Sequence, residues 1–410
     1  MGLLKTVGIA EAKERIFKNW SGFQKTEEVD LLAALGRTLA EDIVSAASLP
    51  GFPRSTVDGF AVHSRETFGA MESQPRYLEV VGELQLGTLF PGKVQAGQTL
   101  QLPTGGVLPS GTDGVVMLEY TEWLDERTIS IVRPVSPGEN VIQPDEDAVS
   151  GEKVLEKGTM LRPQELGFLA ALGKLRVQVY LSLQVGIIST GNEIVPPEIT
   201  PLPGQVRDVN AYSLYGLVKQ SGGRPRLYGI VADDFTRLKE RVERCLAEND
   251  LVLISGGSSI GSRDYTVKVL EELAGEPVLF HGLPIKPGKP TIGTVIDGKP
   301  VFGLPGHPVS AMLVYDLMVH PLLKYGGYRE IFHPVVMAKL TRNFGSAAGR
   351  LDYLRVCLRQ EEDGQILAEP VLGKSGLIST MVKADGVVEV PLLKEGLLAG
   401  EMVAVKLFRS

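Results

Sequence analysis

Hydrophobic residues recur at helical spacing at the start of the chain and again further on. Apolar positions within 9–20 lie three or four residues apart, which predicts an N-terminal helix. A leucine- and alanine-rich run at 31–35, followed by a glycine, predicts a second, shorter helix. Helical spacing returns at 163–172. We expect residues 1–44 and 148–178 to form a helical linking domain.

Residues 45–147 follow a different pattern. Short apolar runs are separated by glycine and proline, which is typical of strands joined by turns. The predicted strands lie at 77–81, 99–102, 114–118 and 128–132. This segment is therefore predicted to be a β-rich domain.

Between 179 and 327, predicted strands and helices alternate. Apolar runs predict strands at 183–188, 227–231, 251–254 and 278–280. Helical spacing predicts helices at 211–220, 235–246, 265–274 and 308–325, the second of them capped by Asp233-Asp234. This alternation predicts a parallel, doubly wound α/β sheet.

Beyond residue 327 the pattern contains strands alone. They are predicted at 335–340, 353–358, 366–371, 386–390 and 402–407. About eighty residues of this kind indicate a small β-barrel. The predicted fold class is multidomain α/β plus β: a β-rich second domain (45–147), a helical linking region, a central parallel α/β domain (179–327) and a C-terminal small β-barrel (328–410).

Composition and charge narrow the class of protein. The chain has 410 residues, of which 43% are hydrophobic and 22% charged; this suits several domains and excludes global disorder. Glycine (47) and proline (26) are abundant, which indicates many turns and backbone-lined loops. The net charge of −7 disfavours a general nucleic-acid binder. Without a signal peptide or an apolar run of about 20 residues, we expect a soluble, cytoplasmic protein with no membrane partner.

Several familiar chemistries have no support in the sequence. Cys245 and Cys357 lie far apart, which disfavours a disulfide scaffold and a structural zinc site. Cys245 falls on the apolar face of its predicted helix, which favours a core position over a nucleophile. The five histidines lack metal-ligand spacing, and the G-x-S-x-G, G-x-G-x-x-G and P-loop motifs are missing from the expected places.

Three loops that follow strands of the predicted α/β domain are rich in glycine and polar residues. They are Ser-Thr-Gly-Asn-Glu at 189–193, Ser-Gly-Gly-Ser-Ser-Ile-Gly at 255–261 and Gly-Leu-Pro-Gly-His-Pro-Val-Ser at 303–310. In an open parallel sheet, ligands bind outside the carboxyl ends of the strands. Glycines there let backbone N–H groups approach an anion, so the loops predict a phosphate or oxyanion site. The alternative is three tight turns without a ligand.

Charged residues add to this prediction. Lys286 and Lys289 lie on a proline-stiffened loop and would suit an oxyanion as point charges, although a solvated pair is the alternative. Acidic residues in turn-like positions are Asp58, Asp147, Glu193, Asp208, Asp234 and Asp264. Carboxylates beside an anion need a bridging cation, and oxygen ligands favour magnesium. For any single aspartate, a helix N-cap or a turn is the alternative, above all for Asp234 and Asp264.

Taken in chain order, the motifs resemble those of bacterial molybdopterin molybdotransferases, the insertion enzymes of molybdenum cofactor synthesis, and the chain is similar to the gephyrin E domain. The resemblance covers essentially the whole chain. Besides the three loops, it rests on Ser-Thr-Val-Asp-Gly-Phe-Ala at 55–61, Pro-Thr-Gly at 103–105, Arg-Asp-Val-Asn at 207–210, Asp-Tyr-Thr at 264–266 and Lys-Pro-Gly-Lys-Pro at 286–290. Each motif is weak alone, but the ordered set is highly specific.

The resemblance implies a reaction and its partners. Adenylylated molybdopterin and molybdate would be converted to molybdenum cofactor and AMP with Mg²⁺, and the α/β domain would bind the molybdopterin. The family implies a homodimer whose site is shared between subunits. The molybdopterin adenylyltransferase and molybdoenzyme-delivery proteins would be its protein partners.

The resemblance also assigns roles to residues of this chain. The catalytic set would be Asp58, Glu193, Asp234, Asp264, Lys286 and Lys289. The set that binds the pterin and its phosphate would be Thr104, Ser189, Thr190, Gly191, Ser255, Gly256, Gly257, Pro305, Gly306, Pro308 and Ser375. The metal ligands would be Asp58, Asp147, Glu193 and Asp264.

The chain departs from the family pattern at three places. Asn192 stands where an aspartate is usual, and His307 stands where an asparagine is commoner. Before Asp147, Gln143 and Asp145 replace a basic residue and a glycine. The alternatives to molybdate insertion are insertion of tungstate, a non-catalytic pterin-binding scaffold, and the adenylyltransferase, which needs only the α/β module.

Overall fold

The computed structural model describes residues 6–20, 22, 25–256, 265–325 and 334–408. The chain divides into two compact units. The first unit consists of Met1–Glu27, Gly36–Thr38 and Gln178–Ser410, and the second of Glu28–Leu35 and Leu39–Val177. The finer division into four domains stays a prediction.

The helices fall close to the predicted segments. The α-helices are α1 (Ile9–Asn19), α2 (Pro163–Ala171), α3 (Asn210–Gln220), α4 (Phe235–Glu248), α5 (Tyr265–Ala274), α6 (Pro308–Val314), α7 (His320–Tyr325) and α8 (Ser379–Val382). Single turns of 3₁₀ helix lie at Leu31–Ala34, Ser64–Thr67 and Leu118–Tyr120, and Tyr315–Val319 is π-helical. The run at 31–35 is thus a four-residue 3₁₀ turn and not an α-helix; 3₁₀ geometry is common in segments this short. The helix predicted at 308–325 is α6, the π-helical turn and α7 in succession.

The strands have the following bounds: β1 (Thr26–Asp30), β2 (Ile43–Val44), β3 (Arg54–Ser55), β4 (Gly59–Val62), β5 (Arg76–Glu83), β6 (Gln98–Leu102), β7 (Gly114–Met117), β8 (Thr121–Trp123), β9 (Thr128–Ile131), β10 (Val141–Ile142), β11 (Lys153–Leu155), β12 (Arg176–Tyr180), β13 (Gln184–Thr190), β14 (Ile194–Val195), β15 (Val206–Arg207), β16 (Arg224–Val231), β17 (Leu251–Ser255), β18 (Phe280–His281), β19 (Ile285–Lys286), β20 (Ile292–Ile296), β21 (Lys299–Leu304), β22 (Val335–Leu340), β23 (Phe344–Gly345), β24 (Leu351–Gln360), β25 (Ile366–Pro370), β26 (Gly386–Val390), β27 (Gly396–Leu397) and β28 (Met402–Leu407).

The second unit is built on a six-stranded sheet with the order β7-β4-β6-β5-β9-β8. The four strands predicted from the sequence are β5, β6, β7 and β9 of this sheet. Phe60, Val116, Ile129 and Ile131 are fully buried in one of its cores. The prediction of a β-rich domain is confirmed.

The α/β sheet lies in the first unit and has the order β16-β13-β17-β21-β20-β18. Strands β16, β13, β17 and β21 are parallel, as predicted, whereas β20 runs antiparallel to both of its neighbours, β21 and the edge strand β18. The difference has a local cause. Asp297 and Gly298 have positive φ values of 50° and 73°, so they form the tight turn of a β20–β21 hairpin.

Helices cover both faces of this sheet. Ile187 and Leu253 pack on one face with α3, α6 and α7, and Ile188 and Ile254 pack on the other with α4 and α5. Successive residues of a strand point to opposite faces, so these pairs confirm the doubly wound architecture. Cys245 of α4 is fully buried, and burial raises the pKa of its thiol to about 12, which agrees with a core position.

The C-terminal strands form a small closed barrel in the order β24-β25-β22-β28-β26. The barrel closes because the long strand β24 pairs with β26 through its first half and with β25 through its second. The two-residue strand β19 lies parallel to the start of β24, with Lys286 opposite Asp352. This pairing joins the lysine-containing loop of the α/β region to the barrel.

Candidate active site

The first unit contains a cleft of about 1290 Å³ at the carboxyl ends of its parallel strands. The three glycine-containing loops, the lysine loop and two loops of the barrel line it. The predicted residues that line the cleft are Ser189, Thr190, Glu193, Ser255, Gly256, Lys286, Lys289, Pro305, Gly306, Pro308 and Ser375. Gly257 and Asp264 lie outside the described residues.

A close backbone contact fixes the first two loops against each other. Gly256 has a φ of 100°, and a Cβ atom on it would lie 2.1 Å from the carbonyl oxygen of Thr190. Its N–H donates to the carbonyl oxygen of Leu304 at 3.2 Å. Glycine is therefore required at this position, where the ends of β13, β17 and β21 meet.

Asn210 connects the second and third loops and was missed by the sequence-based site prediction. Its Nδ2 donates to Ser255 Oγ at 2.7 Å and to the carbonyl oxygen of Gly306 at 2.8 Å. Asn210 belongs to the motif at 207–210, but only the tertiary structure shows which loops it joins. Two cations of the cleft, Arg207 and Arg350, were missed as well.

The two lysines of the cleft differ in their surroundings. Lys286 Nζ lies 3.0 Å from Asp352 Oδ2, and Ser346 Oγ donates to the same oxygen at 3.0 Å. Asp352 is only 2% exposed, whereas the Lys286 side chain is 46% exposed. Lys289 is exposed and has no ion pair with any residue that the structure describes.

The barrel also contacts the third loop. His307 Nδ1 and Ser375 Oγ are 2.8 Å apart, and the N–H of Val309 donates to the carbonyl oxygen of Ser375 at 3.2 Å. The residue that departs from the family pattern in this loop therefore contacts the predicted barrel residue directly. Ser375 and Pro308 come together in one cleft, although 67 positions separate them in the sequence.

The predicted carboxylates of the first unit differ in whether they line the cleft. Glu193 lines the cleft, whereas Asp234 caps α4 by accepting a hydrogen bond from the N–H of Arg237 at 2.8 Å and does not line it. The neighbouring Asp233 accepts from Thr190 Oγ1 at 3.3 Å, and the Asp233 N–H donates to Asn192 Oδ1 at 3.1 Å. Asn192 thus supports the Asp233 loop. The catalytic roles of Glu193 and Asp234 stay predictions.

Gly191 leaves room for the carboxylate of Glu193 in the same loop. Its φ is 149°, and a Cβ atom there would lie 2.8 Å from a carboxylate oxygen of Glu193. Gly191 itself is not among the cleft-lining residues. Its predicted contact with the ligand stays a prediction.

The second unit brings Asp58 and Thr104 together. Asp58 Oδ1 accepts hydrogen bonds from the N–H of Thr104 at 2.6 Å and from Thr104 Oγ1 at 2.9 Å. These bonds favour the charged form and hold the pKa of the exposed Asp58 carboxyl below its usual value. Asp147 is exposed in the same unit, and its role stays a prediction. Asp145, where the resemblance leads us to expect glycine, has a φ of 67°, a backbone conformation that glycine adopts without strain.

Within the described ranges, no group of three His, Cys, Asp or Glu side chains could hold a metal ion. Of the predicted magnesium ligands, Asp58 and Asp147 belong to the second unit, and Glu193 belongs to the first. The described residues of either unit alone therefore do not fit a magnesium site.

None of the described helices is long and apolar enough to span a bilayer.

Family models match three successive parts of the chain. Residues 7–173 match the "MoeA N-terminal region (domain I and II)", residues 186–325 the "Probable molybdopterin binding domain" and residues 337–408 the "MoeA C-terminal region (domain IV)". The chain thus combines a doubly wound α/β domain, a small barrel and a β-rich region, and the three family models together define a protein of the MoeA class.

Whole-chain relatives make the assignment more specific. The chain is 36% identical to a molybdopterin biosynthesis protein of Methanocaldococcus jannaschii, with all of both chains covered. It is 31% identical to the molybdopterin molybdenumtransferase of Haemophilus influenzae, over 97% of this chain and 98% of that protein. The crystal structure of a molybdopterin biosynthesis MoeA protein from Pyrococcus horikoshii OT3 matches 98% of this chain and 100% of that one, with a TM-score of 0.83 and 34% identity.

The chain belongs to the molybdopterin molybdenumtransferase family. It is an enzyme of molybdenum cofactor biosynthesis, and its family inserts the metal into molybdopterin.

The close contact at Gly256 can be tested by its effect on stability. We expect Gly256→Ala to lower the free energy of unfolding by about 2 kcal/mol or more, because the added methyl group would meet backbone atoms that cannot move aside. Gly306→Ala is the matched control. Its Cβ atom would be 3.7 Å from the nearest atom, so we expect a change of about 0.5 kcal/mol or less. Equal urea-unfolding curves for the two variants would contradict the contact.

The ion pair at Lys286 leads to a second stability prediction. We expect Lys286→Met to cost about 2 kcal/mol because it removes the ion-pair partner of the buried Asp352; the value is below that of a fully buried pair since Lys286 is half-exposed. Lys289→Met removes the same charge from the same loop, and we expect it to cost about 0.5 kcal/mol or less. Thermal unfolding of both variants measures the difference. Equal losses would show that Asp352 does not depend on Lys286.

Proposed function

We propose that the protein inserts molybdate into adenylylated molybdopterin and releases AMP, in a magnesium-dependent reaction. The observation that carries this proposal is the cleft of the first unit. There, Lys286 and Lys289 face glycine-containing loops at the carboxyl edge of the α/β sheet. Such an edge binds phosphate groups through backbone N–H groups, and lysines add point charges for an oxyanion.

The described residues suit binding and orientation better than covalent catalysis. The Gly256 contact and Asn210 fix the described parts of the three glycine-containing loops where they leave their strands, before a ligand arrives. Arg207 and Arg350 extend the positive lining. Cleavage of a phosphoanhydride needs positioning and charge stabilisation rather than a protein nucleophile. The deeply buried Cys245 agrees with this.

Asp58 and Thr104 would serve the cleft of a second copy of the chain. Each unit carries one part of the predicted residue set, and the family resemblance favours a homodimer with a shared site. We propose this arrangement together with a cytoplasmic location. We also propose that the adenylyltransferase supplies the substrate and that molybdoenzyme-delivery proteins accept the product.

Magnesium is proposed from the resemblance alone. Because the described residues of one unit do not form a metal site, no step of the reaction is assigned to the ion. When bound, magnesium would neutralise phosphate charge. Glu193, Asp58, Asp147 and Asp264 are the residues proposed to hold it.

Release of AMP tests the proposal. Purified protein incubated with adenylylated molybdopterin, molybdate and Mg²⁺ should release AMP and form molybdenum cofactor, and EDTA should abolish both. Tungstate, nearly isosteric with molybdate, should be run in competition at limiting concentration, and its preferential insertion would favour the tungstate alternative. No AMP above the level without enzyme, with verified substrate, would overturn the proposal. Tight pterin binding without turnover would then support the scaffold alternative.

A substitution at Asp58 tests the part assigned to the second unit. We expect Asp58→Asn to lower kcat at least about a hundredfold without unfolding the protein, because an exposed loop carboxylate contributes little packing. Asp125→Asn is the matched control. Asp125 is another exposed aspartate of this unit whose Oδ1 accepts two backbone N–H bonds, from Arg127 and Thr128. Near-normal turnover by Asp58→Asn, or an equal loss in the control, would exclude Asp58 from the reaction.

A further inference from the structure

A buried carboxylate lies directly behind one of the two lysines of the cleft. Strand β19 pairs with the start of β24, which places Lys286 beside Asp352. The two side chains meet at 3.0 Å, and Ser346 Oγ holds the same carboxylate oxygen. Asp352 is nearly inaccessible to solvent, so solvent screens its charge much less than that of a surface carboxylate.

The position of Asp352 limits how far it can lie from a bound anion. A charge-assisted hydrogen bond from Lys286 Nζ to an oxyanion would be about 2.8 Å long. With 3.0 Å between Nζ and the carboxylate oxygen, that anion oxygen lies within about 6 Å of Asp352. The carboxylate therefore repels any oxyanion that Lys286 binds.

Lys289 offers a contrast within the same loop. It has no carboxylate partner in the part of the chain that the structure describes, so its whole charge faces the cleft. The loop thus carries one free cation and one cation that is largely neutralised from behind. A site with two full cations would bind a dianion more tightly. Tight binding of the free oxyanion does not speed its transfer to the pterin, because it stabilises the state before the reaction.

We propose that Asp352 is a positioning residue that orients Lys286 and weakens the hold of the cleft on the free oxyanion, so that the oxyanion can be passed to the bound pterin. This inference rests on the proposed function, because it takes the oxyanion of Lys286 to be the substrate. Asp352 orients Lys286 by contact and acts on the oxyanion through its charge, without touching it.

Removal of the Asp352 charge by Asp352→Asn has two opposed effects on anion binding. Lys286 loses an orienting partner, which weakens binding, but its backbone stays paired with β24 and the substituted side chain would still offer an amide oxygen. The site also loses a repulsive charge that acts on both negative charges of the oxyanion. The second effect is the larger, since a single charge within about 6 Å changes the affinity for a dianion by about tenfold even at the dielectric constant of water.

The test is calorimetric titration of the full-length protein with sodium molybdate alone. We expect Asp352→Asn to lower the Kd for molybdate about tenfold, and to lower the KM for molybdate in the insertion assay with a reduced kcat. A merely structural role would weaken binding instead. Glu369→Gln is the charge control, because it removes a barrel carboxylate that is paired with Arg342 and Arg359 at 3.3 and 3.5 Å. It should leave Kd unchanged within about twofold.

If Asp352→Asn alone folds poorly, the double variant Lys286→Met/Asp352→Asn keeps the proposal testable. Buried Arg355 also feels the charge of Asp352, so that variant leaves two cations without their carboxylate. Lys286→Met should weaken molybdate binding more than Lys289→Met, because it also removes the ion-pair partner of Asp352, whose charge then repels the anion more strongly. Lys286→Met combined with Asp352→Asn should recover most of that difference.

The outcomes separate this inference from the function on which it rests. Tighter binding by Asp352→Asn, or recovery in the double variant, supports the inference. Unchanged or weaker binding by folded Asp352→Asn, with normal binding by the wild-type protein, overturns the inference alone. Failure of the wild-type protein to bind molybdate at all overturns the oxyanion site of the proposed function, and the inference with it.

Discussion

The carboxyl edge of the α/β sheet depends on the contact between Gly256 and the carbonyl group of Thr190. A side chain at Gly256 would have no room, since its first carbon would lie 2.1 Å from that oxygen. The same glycine donates its N–H to Leu304, so three strand ends are held at once. The cleft exists because the loops that leave these strands start from fixed and closely spaced points. Asn210 then joins two of the loops through a single amide group.

The second unit presents Asp58 by the same physical means. Gly59 approaches the carbonyl oxygen of Val116 so closely that a Cβ atom would lie 2.0 Å away. The backbone is thereby fixed next to Asp58, and Thr104 fixes its carboxylate with two hydrogen bonds. An exposed carboxylate loses conformational freedom in this way before any ligand binds, which is the condition for effective positioning in a catalytic site. In both units, a close backbone contact at a glycine is thus combined with a polar side chain that hydrogen bonds hold in one position: Asn210 in the first unit and Asp58 in the second.

The sequence predicted what depends on local pattern and failed where distant segments meet. The amphipathic helix α4 and the buried strand β17 were predicted closely, because burial on one face or on both leaves a clear periodicity. Most loops of the cleft were predicted from motifs. The β20–β21 hairpin was missed, although its Asp-Gly turn was a usable signal. The pairing of β19 with β24 could not be predicted, because two residues carry no periodicity and the partner lies 66 positions away.

That last pairing changes how the charge of the cleft is understood. From the sequence, Lys286 and Lys289 are equivalent cations on a stiff loop, and an acidic chain with net charge −7 requires such local cations to bind an anion at all. The structure makes the two lysines different. The buried carboxylate of Asp352 is paired with Lys286, whereas Lys289 is paired with none of the described carboxylates. Under the proposed function, affinity for the oxyanion would be set by the barrel as well as by the α/β domain. A barrel that merely packed against the sheet would not need a charged residue at the buried start of β24.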